Sequence, residues 1–119
     1  GFKEISVFKL IEALDRVLQA LDPKHQHVVV QDLLSLSEAI QKLSHKLKGD
    51  APVSFFALFE GQRTRGAVVV TFLALLEMCK LRLIRIFQAE LDTEIMVQSR
   101  GDALAGLAEA TEGKIDEYQ

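Results

Sequence analysis

The stretch Thr64–Gln88, TRGAVVVTFLALLEMCKLRLIRIFQ, most constrains what this chain can fold into. Ala74 apart, nine of the twelve residues from Val68 to Cys79 are apolar. Residues advance about 100° around a helix, so Val68, Phe72, Leu75 and Cys79 share one side, and Val69, Leu73 and Leu76 carry the apolar surface well round the cylinder. A helix on one small core needs an apolar stripe of about 100°. The surplus asks for a second covering, either another part of the chain or another protein. Past Lys80 the pattern changes, and Leu83 to Ala89, LIRIFQA, reads as a strand.

Size and composition narrow the setting. The chain has 119 residues, 49% of them hydrophobic, enough for one domain with its own core. Its net charge is −3, and no basic block stands out to hold phosphates. Cys79 is the single cysteine, so no internal disulfide forms, which suits a reducing cytoplasm. No apolar run approaches the roughly 20 residues of a membrane span. Charges run throughout residues 1–21, unlike a secretory signal. The expected setting is cytoplasmic.

Elements follow from periodicity and capping. Ser6 to Leu21 reads as an amphipathic helix, with Val7, Leu10, Ile11, Leu14, Val17, Leu18 and Leu21 as its apolar face. Asp22-Pro23 stops it, and His27 to Gln31 reads as a short strand. Ser35 and Glu38 form a capping box before a helix with Leu36, Ala39, Ile40, Leu43 and Leu47 inward. Gly49 to Pro52 ends that helix. Val53 is strand-like, Ser54 is expected to cap a turn over Phe55 to Phe59, and Thr64 to cap the long helix. A second strand is expected around Ile95 and Val97, joined to the first across residues 90–94. The division is a domain over 1–98 and a tail over 99–119, small and acidic, with a short helix near Ala103 to Ala110.

From Ser35 the order is helix, strand, helix, helix, strand, strand. The fold class is therefore mainly α with a small β-hairpin (α+β): a winged-helix domain with an additional N-terminal helix. Such a fold raises DNA binding as a reading, yet the helix that would enter the groove offers only Glu77 between Val68 and Cys79. A base reader needs polar or basic groups there. Glu90, Asp92 and Glu94 on the wing would repel phosphates, although Arg63, Arg65 and Arg85 lie near the helix ends. Sequence-specific binding to nucleic acid is thus the rival reading, not the leading one.

Catalytic and metal chemistry find no support in the motifs. His25 and His27 lack a third ligand nearby and His45 stands apart. Cys79, in an apolar helix, reads as a small hydrophobe. Glycine-rich phosphate loops, H-E-x-x-H and G-x-S-x-G are absent from the sequence. No cofactor and no enzyme activity are expected.

The apolar helix and its flanks resemble the C-terminal region of the bacterial kleisin family, ScpA (segregation and condensation protein A). That family carries a V-V-x-T-F-L-A-L-L-E-L run, then a basic-apolar turn, a strand and a glutamine. Val69, Val70, Thr71, Phe72, Leu73, Ala74, Leu75, Leu76, Glu77 and Gln88 match it. Leu34 to Leu43 resembles the family's I-S-V-E-E-x-I helix start. Val53 to Phe59 resembles I-S-F-x-x-L-F, and Ser6 to Leu14 the helix before them. The likeness covers about Ile5 to Val97. It departs after Gln88, where AELDTEIMV replaces acidic residues and F-G-x-I, and at Thr64-Arg65-Gly66, which replaces a serine followed by acids. In the tail after Arg100 no motif of the family is recognised.

The resemblance implies a scaffold. In that family the C-terminal winged-helix domain binds the cap side of one SMC ATPase head, the N-terminal domain binds the neck of the other, and ScpB binds the middle. ATP hydrolysis belongs to SMC. On this chain the expected partner contacts are Phe72 and Leu76, one turn apart, aided by Val69 and Leu73. The second hairpin strand, around Ile95 and Val97, is expected to extend or lie along the head's sheet. ScpB would be bound through kleisin segments outside this sequence. Weak self-association through the apolar face is a third reading.

Overall fold

Two helices and a strand cover the inner side of the long helix, and this is where the core lies. The computed structural model describes residues 3–23, 35–90 and 93–101. Helix α1 spans Val7–Gln19, α2 Leu36–Lys46 and α3 Arg65–Lys80. Strands β1 (Lys3–Glu4), β2 (Val53–Ser54), β3 (Ile84–Gln88) and β4 (Met96–Ser99) form one antiparallel sheet in the order β1-β3-β4-β2. The protein is mainly helical α+β. α3 packs on α2, α1 and β3.

Each helix starts where a side-chain oxygen can take an orphan backbone N–H. Ser6 Oγ accepts from Lys9 N at 3.3 Å, Ser35 Oγ from Glu38 N at 3.1 Å, and Thr64 Oγ1 from Ala67 N at 3.2 Å. The Ser35 hydroxyl also donates to Glu38 Oε1 at 3.2 Å. The expected cap at Ser54 is not made. Ser54 pairs with Met96 in β2, and the following 3₁₀ turn, Phe56–Phe59, has no side-chain cap. Its chain entry is fixed instead by Phe55 N–H, which donates to Ile95 O at 2.9 Å.

The apolar faces are buried along their middles and open at their ends. In α1, Leu10 and Ala13 are buried, and Leu14, Val17, Leu18 and Leu21 pack partly against the core. Val7 and Ile11, expected inward, are 57% and 49% exposed. Val7 sits in the first turn, past the edge of the core. Ile11 lies near the rim of the stripe, about 100° from Leu10. In α2, Ala39, Leu43 and Leu47 are buried while Leu36 is exposed.

Phe55 has no exposed surface and anchors the centre. Its ring meets those of Phe59, Phe56 and Phe72 with centroids 5.0, 5.6 and 6.5 Å away. The pairs with Phe56 and Phe72 are edge-on, the arrangement the ring quadrupoles favour. Thr71, buried on α3, accepts from Gln62 Nε2 at 2.6 Å, tying the 61–63 link to the helix.

α3 ends in a Schellman motif. Leu83 N–H donates to Met78 O at 2.9 Å and Arg82 N–H to Cys79 O at 3.0 Å, with Arg82 at φ +60°. The motif turns the chain straight into β3, whose register with β4 sets Ile86 opposite Val97. Thr93 closes the described part of the hairpin connection, its hydroxyl donating to Glu90 O at 2.7 Å. The strand expected at His27 to Gln31, the histidines at 25 and 27, and the tail from 102 lie outside the described residues.

A left-handed arginine carries a steric cost of about 1–2 kcal/mol, partly offset by the greater unfolded-state entropy of glycine. Arg82→Gly should therefore raise stability by up to about 1 kcal/mol in urea unfolding. Phe55→Ala should lower it by about 3–5 kcal/mol by the same measurement.

Candidate functional site

The outward side of α3 remains apolar after the core is complete. Val68, Phe72, Leu75 and Met78 point inward and are buried. Across the helix, Val70, Leu73 and Leu76 follow at spacings of three, with Glu77 and Lys80 at the lower end. Leu36, in the first turn of α2, stands beside them, and together they line a shallow hollow of about 390 Å³. Leu73 is 50% exposed and Leu36 44%. Val69, Val70 and Leu76 are half-buried. An apolar hollow with one acid and one base at its rim can hold another apolar surface by exclusion of water.

The expected contact residues divide between surface and core. Leu73 and Leu76 lie on the hollow, and Val69 is half-buried on the same helix. Phe72 is only 6% exposed, edge-on to Phe55, and so belongs to the core and not to a contact surface. Ile95 and Val97 are buried too, at 7% and 0%. β4 is an inner strand: Val97 pairs with Ile86 on one side and with Val53 on the other. Its expected role as an open edge at Ile95 and Val97 is therefore corrected, because β2 and the Phe55 amide already occupy that edge. Val70 and Leu36 were not expected on the site. Leu36 fits the inward spacing of α2, and only the ending of the core short of the first turn exposes it.

The basic charge around α3 lies at its two ends, Lys80 also lining the hollow. Arg63 and Arg65 are exposed at the start of α3, and Lys80, Arg82 and Arg100 at its far end. Among the described residues no three of histidine, cysteine, aspartate or glutamate are grouped to hold a metal ion. No described helix is long and apolar enough to cross a membrane. Cys79 is half-buried on α3.

Fold and surface together define a small α+β domain whose longest helix offers an apolar outer face where a base-reading helix would carry polar groups. The model of the family described as "Segregation and condensation protein ScpA" matches residues 3–100, and the chain belongs to that family. It is 50% identical over 110 residues to "Segregation and condensation protein A" of Myxococcus xanthus, an alignment covering 91% of this chain and 38% of that protein. It is 31% identical over 113 residues to the protein of the same name from Listeria monocytogenes, covering 86% of this chain and 42% of the relative. The protein of that name from Brevibacillus brevis is 29% identical over 98 residues, with 82% and 39% covered. The chain thus spans about two fifths of the length of these curated relatives. No solved structure matches it.

The division between core and surface predicts a contrast within one helix turn. Leu73→Arg should change unfolding stability by no more than about 0.5 kcal/mol. Phe72→Ala should lower it by about 3–5 kcal/mol. Urea midpoints of the two variants check this.

Proposed function

We propose that this chain is the SMC-binding C-terminal module of a bacterial kleisin, a non-catalytic scaffold that docks on the cap side of an SMC ATPase head. The observation that carries the reading is the apolar hollow on α3, centred on Leu73 and Leu76. Family membership supports it, since the relatives are named for segregation and condensation. In this reading the module closes one side of an SMC–kleisin ring in a cytoplasmic, nucleoid-associated complex. ATP hydrolysis stays with SMC, and ScpB is held by kleisin segments outside this sequence.

The physics of docking is simple. Fully burying one Leu or Val side chain contributes about 1.5–3 kcal/mol, and interface energy concentrates in a few central anchors. Leu73 and Leu76 are those anchors here, with Leu36, Val69 and Val70 excluding water around them. The strand contribution expected from Ile95 and Val97 becomes indirect: they support the sheet from within the core.

Capture of this chain by purified SMC head tests the reading. Leu73→Arg and Leu76→Arg should each weaken capture roughly tenfold or more, the equivalent of at least 1.4 kcal/mol. Arg63→Glu and Arg65→Glu should leave it unchanged. Folded leucine variants that bind the head normally refute the assignment. Salt-dependent duplex binding that falls with Arg63→Glu, Arg65→Glu or Arg85→Glu would favour the DNA reading instead.

A further inference from the structure

The hollow on α3 is too small to be a whole interface. Six described residues line it, whereas a stable protein interface engages roughly 20–30 residues a side. The surface continues beyond it. Leu76 and Lys80 also line a groove of about 640 Å³ between the start of α1, the end of α3 and β3. Ile5 and Val7 add apolar rim to that groove, over the buried Ile84 and Ile86. Hollow and groove are one continuous surface, running from Leu36 across α3 to Val7.

The two ends of this surface differ in charge. The hollow carries Glu77 and Lys80. The charged side chains of the groove are Lys80, Arg82, Arg85 and Arg100, and no described carboxylate lines it. Arg85 is engaged with Gln98 Oε1 through Nε at 3.0 Å and Nη2 at 2.8 Å. Lys80, Arg82 and Arg100 are exposed and supply the approachable charge. Cations gathered on one side of an apolar surface fix which way round a partner can sit, because a partner's carboxylates are attracted there and its cations repelled.

Arg82 is a second observation that points the same way. It closes the Schellman motif with φ +60°, a conformation glycine adopts without steric cost and arginine rarely adopts. Glycine would serve the turn better. What arginine adds is a guanidinium at the rim of the apolar surface, and backbone strain of this kind is kept where a side chain is used.

We propose that the SMC-head surface met by this module is apolar at its centre and acidic on the side facing the groove, so that carboxylates of the head pair with Lys80, Arg82 and Arg100. The inference rests on the head-docking reading and adds to it the orientation of the docked head. Leu73 and Leu76 set how long the complex lasts. The cations set how fast it forms and which way the head lies.

Association and dissociation rates of the chain on immobilised, purified SMC head test this. Arg82→Glu with Arg100→Glu should slow association roughly tenfold and leave dissociation within about threefold, the pattern of rim charges. Arg63→Glu with Arg65→Glu makes the same change in net charge at the opposite end of α3 and should leave both rates unchanged. Arg82→Gly, which keeps the turn, should slow association roughly two- to threefold. Raising the salt from about 0.01 M to about 0.1 M shortens the Debye length from about 30 Å to about 10 Å. That change should slow association of the unaltered chain and have little effect on the Arg82→Glu, Arg100→Glu variant. An unchanged association rate in that variant, or equal slowing in the Arg63→Glu, Arg65→Glu control, overturns the proposal even where Leu73→Arg weakens capture. Loss of duplex binding in the variant with a normal rate on the head assigns the cations to nucleic acid and also overturns it. A head that ignores the unaltered chain, or binds the folded leucine variants normally, refutes the docking reading itself and this inference with it.

Discussion

Phe55 ties together the 3₁₀ turn, α3 and the chain leading into β4. Its backbone N–H holds the chain leading into β4, and its ring meets α3 through Phe72 and its own turn through Phe56 and Phe59. A two-residue β2 has little cohesion of its own. It is kept in the sheet because the aromatic cluster directly after it is buried. The position of β2 in turn makes β4 an inner strand, and an inner β4 lets Val97 and Ile86 form the wall on which α3 rests. The inner and outer sides of α3 are thus decided by a residue outside that helix.

The division of α3 has a chemical consequence. Its inner side consumes Val68, Phe72, Leu75 and Met78, and the outer side keeps Val70, Leu73 and Leu76. Cations are held at the two ends, with no basic side chain along the middle. A surface of this kind discriminates by shape and desolvation, and ordinary salt does little to weaken it. A phosphate-binding face would behave in the opposite way.

Much of this could be read in the sequence, for local physical reasons. The caps at Ser35 and Thr64 depend on one side chain and the amides three residues on, so their positions followed from spacing alone; the cap at Ser6 was not foreseen. The two hairpin strands followed from apolar segments on either side of a polar link. What escaped was set by tertiary contact. β1 is two residues long and shows no period of its own; it exists because β3 offers an edge. Ser54 has the chemistry of a cap, but pairing with Met96 claims its backbone first. Phe72 and Leu73 are neighbours of equal hydrophobicity, and only the position of Phe55 tells which is inside. The same holds for Leu36, apolar and correctly spaced yet beyond the reach of the core. Arg82 in a left-handed conformation could not be foreseen from a residue type that rarely adopts it.

β1 also closes the described chain on itself. Glu4 and Phe87 pair across 83 positions (87 − 4), whereas β3 and β4 meet across a short connection and α2, the 3₁₀ turn and α3 are successive. Closing so long a loop carries an entropy cost of about 4 kcal/mol beyond a constant, repaid by only two ladder positions. The packing of Leu10 and Ala13 of α1 against the core adds to that return. The pairing of β1 thus holds the two ends of the described chain together with little ladder of its own, and α1 supplies the packing that keeps it there.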